Sequence, residues 1–544
     1  MMVNGLWGRA VAGLALGCAL GAGQAVAGTH PAVAELFAEW RAFEAPVWKN
    51  GAPDYSAAAM AEKARGLKLL RAKLDALDPS GWPVPQQVDW HLIRAEMNGM
   101  DFNIRVLQPW ARDPAYYTSV WTYQSDTPAH EGPTHHALVE LWTYTFPLDA
   151  SGEEKLATEL ATIPPLLEQA RGNLTGNARE LWIAGIDDLR GQSTTLGELT
   201  AQVTDNGSKL REAVAGARAA TDAFVDWLEA EGQKKSGPSG IGKDDYSWYL
   251  RHVHLVPLSW EDEVRLLERE LARAHSSLRL EEHRNRNLPP LPQISSPEEY
   301  EVKSNASASR YIEFLGDNDI LEIHDWMDPA LRAQLGRFVP EEERNFFWRA
   351  VHYEPMTLYT HFYHWWDLAR MAEIPHPSPV RRGPLLYNIF DSRAEGVSTG
   401  IEELAMHLGL YDDNPQVREI VWIMLAQRAA RGLGSLHAHA NEFTLKEARD
   451  YHVRWTPRGW MREDLDLLGF EQLLYLRQPG YGTSYVTGKY LIEKLIAARA
   501  EQLGEDFEFK TFFAELDAAG VIPVSLIHWE MTGDDSLVRA TLGE

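Results

Sequence analysis

Residues 360–403 concentrate the side chains that bind metal ions and move protons. His361 and His364 are three positions apart, and Glu395 follows them along the chain. If residues 356–371 form one helix, the two imidazoles lie on one helical face. Two imidazoles and a carboxylate form the ligand set of a catalytic zinc site with an open fourth position. The alternative is that both histidines are hydrogen-bonded members of an aromatic core helix.

A histidine-rich segment, His-Glu-Gly-Pro-Thr-His-His at residues 130–136, is a second candidate. A zinc-binding helix needs its histidines about one turn apart, and Gly132-Pro133 would interrupt such a helix. We therefore expect a loop that lends His130, Glu131 and His135 to a cleft and faces the His361 segment, because loops on a rigid frame commonly carry function.

The glycine-dense segment at residues 477–485 ends at Tyr485. Glycines allow the backbone to approach a ligand closely, and a tyrosine beside them can donate a hydrogen bond to a developing oxyanion. The alternative is a tight turn between two helices. A helix is expected to follow at residues 488–503.

Helical periodicity dominates the rest of the 544-residue chain, where apolar residues recur every three or four positions. We find no convincing strand pattern, phosphate loop or Gly-x-Ser-x-Gly elbow. The sequence therefore predicts a predominantly α-helical, all-α fold with two lobes around a deep cleft. Residues 28–544 are expected to form one domain, and the polar, proline-rich tract at residues 285–297 is the candidate lobe boundary.

The net charge of −26 argues against nucleic acid and anionic membrane surfaces as partners, since their phosphates would be repelled. Outside the N-terminus no stretch approaches about 20 apolar residues, so we expect no stable membrane insertion. A small molecule or a peptide is the expected substrate.

The N-terminus has the pattern of an export signal. An uncharged run follows Arg9 and ends in Ala-Val-Ala at residues 25–27, a pattern cleaved by signal peptidase. Cys18, the single cysteine, lies in this run; a lipidation motif would need Leu where Ala15 stands. We therefore expect residues 1–27 to be removed from an exported, periplasmic or secreted protein without a lipid anchor. The mature chain would lack thiolate zinc ligands and disulfides.

Several short motifs follow one another along residues 28–529. They are Trp110 with Arg112-Asp113-Pro114, Gly242-Lys243-Asp244-Asp245-Tyr246, Arg393-Ala394-Glu395-Gly396, Gln427-Arg428-Ala429-Ala430-Arg431 running to His437, Gln478-Pro479-Gly480 with Ser484-Tyr485, and Ile522-Pro523. In this order they resemble the bacterial domain of unknown function 885 family. The resemblance implies a mostly helical fold similar to gluzincin-type metallopeptidases, with the Ser484-Tyr485 pair near the reacting centre.

The chain departs from the family at its metal motif. Typical members carry His-Glu-x-x-Pro-Gly-His-His, which resembles two zinc histidines with a glutamate base, and a later Glu-Gly-Trp supplies a third ligand. The resemblance implies zinc ligands at His361 and Glu395, but Phe362 replaces the glutamate and the Pro-Gly-His-His half is absent. His364 and Asp367 are alternatives for the lost histidine, and His364 shares the helical face. Since phenylalanine cannot accept a proton, the base must come from elsewhere.

Three functions remain open. The favoured one is an exported, zinc-dependent hydrolase of a peptide or small amide, with Glu131, Glu402 or Glu403 as a rearranged base. The second is a non-hydrolytic enzyme whose arginines hold a substrate carboxylate in the same cleft. The third is a metal-free descendant that binds a ligand without turnover. The predicted residues are His361, His364 and Glu395 for the metal, Tyr485, Glu131 and Glu402 for catalysis, and His130, His135, Arg381, Arg382, Arg458 and His437 for substrate binding.

Overall fold

The computed structural model describes residues 28–203, 208–464, 467, 471 and 475–543. Its α-helices are α1 (Pro31–Glu44), α2 (Ala57–Asp75), α3 (Val84–Phe102), α4 (Pro109–Arg112), α5 (Ala150–Leu160), α6 (Ile163–Asn173), α7 (Arg179–Gln202), α8 (Lys209–Gly232), α9 (Lys243–His252), α10 (Trp260–Asn285), α11 (Pro297–Asp317), α12 (Met327–Arg332), α13 (Phe346–Tyr353), α14 (Met356–Tyr359), α15 (Tyr363–Glu373), α16 (Asp391–His407), α17 (Val417–His439), α18 (Leu445–Trp455), α19 (Tyr481–Leu503), α20 (Phe509–Ala518), α21 (Val524–Thr532) and α22 (Ser536–Leu542).

The described strands are short and form two pairs. Strands β1 (Trp48–Lys49) and β2 (Ala52–Pro53) are antiparallel, whereas β3 (Val120–Trp121) and β4 (Val139–Glu140) are parallel. The prediction of a predominantly α-helical protein is confirmed. The two-lobe arrangement and the boundary at residues 285–297 stay predictions.

Local sequence signals explain where the long helices begin. Helix α10 starts at a capping box, in which Ser259 Oγ accepts from the Asp262 backbone and the Asp262 carboxylate accepts from the Ser259 backbone. Its buried leucines, Leu267, Leu271 and Leu278, recur at helical spacing, so one stripe faces the core. Three glutamates of α10 are buried as well: Glu263, Glu270 and Glu281.

The core is centred on α16, α17 and α19. Helix α17 is buried around almost its whole circumference, as expected for a helix in the middle of a large core, and Arg428 and Arg431 are buried on it together with its apolar residues. Helices α16 and α19 approach closely where Gly396 meets Gly488: a Cβ atom on Gly396 would lie 2.6 Å from the Gly488 Cα. The two glycines therefore set the distance between the helices that carry Glu395 and Tyr485.

The prediction of a single helix at residues 356–371 is wrong. The structure has two helices in this segment. It is divided into α14 and α15, because the Phe362 backbone has ψ 21° and its N–H bonds to the Tyr359 carbonyl three positions back. His361 thus lies between two helices. The break still leaves the rings of His361 and His364 with their centroids 5.0 Å apart.

The segment predicted as a turn beside Tyr485 is the first part of a helix. Gly480 adopts a left-handed backbone (φ 85°), a conformation that favours glycine, and α19 begins at the next residue. Tyr485 is therefore held on a helix, which fixes its position more closely than a loop would.

Among the described helices, none is long and apolar enough to cross a membrane.

Gly396→Ala tests the close approach of α16 and α19. The added methyl group collides with the Gly488 backbone, so we expect the free energy of unfolding to fall by about 1–3 kcal/mol, as in overpacked cores. The matched control is Gly216→Ala on α8, where a Cβ meets nothing within 4 Å and should stabilise by about 0.5–1 kcal/mol. Thermal and denaturant unfolding measure both. Equal stability of the two variants would contradict the account.

Candidate metal centre

Three buried side chains meet at the centre of the structure. One ligand atom each from His361, His364 and Glu395 lies within 4.8 Å of the others. The Glu395 Oε2 atom is 3.2 Å from Nε2 of His364 and 3.6 Å from Nε2 of His361. Helix α16 supplies the carboxylate from its second turn, the α14–α15 break supplies His361, and the first turn of α15 supplies His364. Two nitrogens and one oxygen fit zinc better than magnesium or calcium, which prefer all-oxygen shells.

Asp367, the alternative third ligand, points to another partner. Its two oxygens accept from the Arg393 guanidinium at 3.0 and 3.1 Å. Arg393 also binds Asp517 at 2.9 Å, so it joins two buried carboxylates. The geometry therefore favours His364 over Asp367 as the third ligand.

The electrostatics of the centre favour an ionised Glu395. Burial alone would raise the pKa of Glu395, but the imidazoles of His364 and His361 outweigh it and hold the pKa well below its ordinary value. Burial opposes the charge of His364 too, yet Glu395 raises the pKa of His364 to about 9. A proton on His364 thus supplies, in this structure, part of the positive charge that a metal ion would bring.

Glu402 orients His361. Its Oε1 atom lies 3.0 Å from Nδ1 of His361, and both Glu402 oxygens accept from the Arg428 guanidinium at 2.6 and 2.7 Å. Nε2 of His361 is then left to face Glu395. Metal-binding histidines commonly bond their second nitrogen to a carboxylate. Nη2 of Arg428 also lies 3.2 Å from Nδ1 of His361, so the tautomer of His361 decides whether Glu402 accepts from the ring or Arg428 donates to it. The geometry therefore favours a positioning role for Glu402 over the predicted role of general base.

A chain of hydroxyl and carboxyl groups leads away from Glu395. The Tyr481 hydroxyl lies 2.9 Å from Oε1 of Glu395 and 2.6 Å from Oε1 of Glu131, and the Tyr485 hydroxyl donates to it at 3.1 Å. Burial, followed by the neighbouring Asp126, raises the pKa of Glu131 to about 8. Since the Tyr481 hydroxyl has one proton, it can donate to only one of the two carboxyl groups; the raised pKa of Glu131 favours a protonated Glu131 that donates to Tyr481, with Tyr481 donating to Glu395.

A cavity of about 520 Å³ adjoins the cluster through His361. Aromatic residues form part of its wall, among them Phe362 and Trp348. The residues that carry chemistry in its lining are His361, Asp126, Glu131, Arg428, Arg431, Glu471, Tyr475, Tyr481 and Tyr485. The sequence did not assign roles to Asp126, Tyr481, Arg428 or Arg431. The signal for the arginines was their position in the otherwise apolar helix α17, since buried arginines need partners.

The histidine-rich loop divides this cavity from a second one of about 570 Å³. Glu131 lines the cavity beside His361, whereas His130 and His135 line the second cavity. His130 pairs with Glu140 at 3.0 Å. Burial lowers the pKa of His135 to about 3, and its Nε2 atom lies 3.1 Å from the Thr118 carbonyl oxygen. Only Glu131 of the three predicted loop residues reaches the centre.

The structure does not bring the other predicted substrate-binding residues to the centre. Four of these residues are absent from the described lining of the cavity beside His361: Arg381, Arg382, Arg458 and His437. Their partners are Asp89 and Glu530 for Arg381, the carbonyls of His376 and Pro377 for Arg382, Glu282 and Glu419 for Arg458, and Glu442 for His437. These contacts give the four side chains structural roles.

The family model described as "Bacterial protein of unknown function (DUF885)" matches residues 43–287. This match supports the family resemblance in the first half of the chain. His361, His364 and Glu395 lie outside the matched residues, so the divergent motif and the gluzincin relationship stay predictions. No curated protein matches the sequence.

Two solved structures share the fold. One, from Shewanella oneidensis, is described as "a putative lipoprotein of unknown function"; at 15% identity it has a TM-score of 0.68, covering 91% of this chain and 97% of its own. The other, from Colwellia psychrerythraea, is also described as a "putative lipoprotein"; at 13% identity it has a TM-score of 0.64, covering 94% and 99%. At these identities the likeness shows the fold alone.

These descriptions contradict the predicted localisation, an exported protein without a lipid anchor. The argument rested on Ala15 and on the apolar residues after Cys18, which weakly constrain where a lipid is attached. Residues 1–27, including the predicted signal and Cys18, lie outside the described residues.

Glu131→Gln tests the buried carboxyl group in metal-free protein. Native Glu131 holds its proton up to about pH 8, whereas the unfolded chain releases it above about pH 4.5. The native state therefore binds more protons, and this group's contribution to stability is lost as pH rises through about 8. We expect the melting temperature of the variant, relative to wild type, to rise between about pH 5 and pH 8. Glu154→Gln, at an exposed position on α5, is the control. A pH-independent difference would contradict the account.

Proposed function

We propose that the protein is a metal-dependent hydrolase of a peptide or small amide, with zinc bound by His361, His364 and Glu395. The observation that carries the proposal is that these three buried side chains place their ligand atoms within 4.8 Å of one another. They do so beside a cavity large enough for a small substrate. Zinc bound there would polarise a carbonyl group and activate a water molecule.

The protein groups around the centre have the roles that amide hydrolysis requires. Glu131 is the candidate acid–base group, because its raised pKa lets it exchange a proton near neutral pH and Tyr481 connects it to Glu395. The hydroxyl of Tyr485 is the candidate donor to the oxyanion, since the Tyr481 proton is used by Glu395. Glu402 and Arg428 hold the His361 ring. Glu131 thus takes the place of the base lost at Phe362.

A metal-free protein that binds a ligand without turnover is the second candidate. The pairing of His364 with Glu395 favours it, because a proton on the imidazole already balances the buried carboxylate. Phe362 stands where typical members of the family that the chain resembles carry the glutamate base. Such a replacement is also expected in a protein that has lost its metal and its hydrolytic activity. Metal content separates the two candidates directly.

The first prediction concerns metal binding. Wild-type protein, equilibrated with zinc and dialysed, should contain one ion per chain. His361→Gln and Glu395→Gln should each lower the affinity by roughly a hundredfold or more, since even partners outside the ligand shell contribute ten- to a hundredfold. His437→Gln, whose ring pairs with Glu442, should bind as wild type does. Elemental analysis and chelator competition measure these values. Zinc-free wild type with destabilised variants would support the second candidate.

The second prediction concerns turnover. Tyr485→Phe removes one hydroxyl donor next to the cluster, so the rate of amide hydrolysis should fall roughly ten- to a thousandfold. Tyr490→Phe on the same helix is the matched control, because its ring contacts Lys494 and not the cluster. Initial rates on a library of fluorogenic dipeptides and small amides measure the effect. An unchanged rate in Tyr485→Phe would assign this residue a structural role.

A further inference from the structure

Arg431 has hydrogen-bond donors that no other described residue uses. The residue is 2% exposed, and its Nη1 atom donates to Oε1 of Glu471 at 2.7 Å. Its Nε and Nη2 atoms are buried and have no hydrogen-bond partner among the residues that the structure describes. Among the described arginines, only Arg431 has two such nitrogens. Buried donors without a partner are costly and require an explanation, such as a ligand that binds there.

The two unused donors belong to one edge of the guanidinium group. Nε–H and Nη2–H project from this edge side by side, in the fork that matches the two oxygens of a carboxylate. Lysine has no equivalent geometry. A carboxylate is therefore the ligand group that this edge fits best.

The same protein shows that one buried arginine can bind two carboxylates. Arg381 binds Asp89 and Glu530, and Arg393 binds Asp367 and Asp517. Arg431 is equally buried but has the single carboxylate partner Glu471. Comparison with these two arginines indicates that a second carboxylate at Arg431 is electrostatically reasonable.

Arg431 lies close to the candidate metal-binding residues. It lines the same cavity as His361, and its guanidinium carbon is 4.0 Å from the ring centre of Tyr485. The Tyr485 ring is in turn stacked with His361, with centroids 5.9 Å apart and an interplanar angle of 11°. A group bound by Arg431 is thus one aromatic ring away from a metal ligand.

We propose that the Nε–Nη2 edge of Arg431 binds the carboxylate of the substrate, so that the cavity takes peptides or N-acyl amino acids with a free carboxylate. The scissile amide would then lie close to that carboxylate. This assignment rests on the proposed function for the reaction, but the binding step requires no metal. The sequence analysis predicted the same recognition chemistry for arginines that lie elsewhere.

The test compares a carboxylate with its uncharged amide in protein from which metal has been removed. The probes are 3-phenylpropionate and 3-phenylpropionamide, whose phenyl group suits the aromatic wall, and ligand-observed NMR titration gives both dissociation constants. Wild type should bind the carboxylate at least about tenfold more tightly than the amide. Arg431→Gln should weaken carboxylate binding about ten- to a hundredfold and leave amide binding unchanged. Equal affinities in wild type would overturn the proposal.

Two further variants separate recognition from folding. Arg431→Lys keeps a charge for Glu471 but lacks the fork, so it should fold and lose roughly tenfold in carboxylate affinity. Arg382→Gln changes an exposed arginine outside the cavity and should bind both probes as wild type does. A crystal structure of wild type with 3-phenylpropionate locates the carboxylate whether or not the variants fold. A carboxylate bound away from Arg431 would refute the assignment.

The two proposals fail in different ways. If zinc does not bind but the carboxylate preference depends on Arg431, the hydrolase proposal fails and this inference stands as a ligand-binding site. If zinc binds and amides are hydrolysed with no preference for a free carboxylate, this inference alone fails.

Discussion

The buried charge of Glu395 is the constraint on which the arrangement of the centre depends. A carboxylate taken out of water must be paired and hydrogen-bonded, because an isolated buried charge costs several kcal/mol. Glu395 is 1% exposed and is balanced by His361 from the α14–α15 break, by His364 from the start of α15 and by the hydroxyl of Tyr481 from α19. Two separate chain segments thus converge on one side chain of α16, and the proposal adds a metal ion as their common partner.

Close helix packing makes this convergence possible. Glu395 is followed by Gly396, and the absence of side chains at Gly396 and Gly488 lets α19 lie against α16. Tyr481 can then reach the carboxylate, and Tyr485 donates to the Tyr481 hydroxyl. Around them, Glu402 pairs with Arg428 and Glu471 pairs with Arg431, so the buried charges of the cavity wall have partners of opposite sign. The close packing of the two helices thus fixes the position of Tyr481 between Glu395 and Glu131.

Sequence analysis predicted the helical class from periodicity, and it predicted His361, His364 and Glu395 from their residue types, the one-turn spacing of the histidines and the family resemblance. It missed the break at Phe362, where tertiary packing overrides the helical pattern. It could not find Tyr481 or Arg431, whose partners are distant in sequence, since spacing carries no information about such contacts. The same reason explains why Arg381 and Arg458 were predicted to bind substrate. The sequence shows the arginines, but only the structure shows that Asp89 pairs with Arg381 and Glu419 with Arg458.

The central claim is that His361, His364 and Glu395 together bind a metal ion. X-ray absorption spectroscopy at the zinc edge of the zinc-loaded protein tests it most directly, because it reports the donor atoms. The account predicts two imidazole nitrogens at about 2.0–2.1 Å with oxygen donors completing a four-coordinate shell, and loss of one imidazole contribution in His364→Gln. A zinc spectrum without imidazole scattering, or one unchanged in His364→Gln, would contradict it.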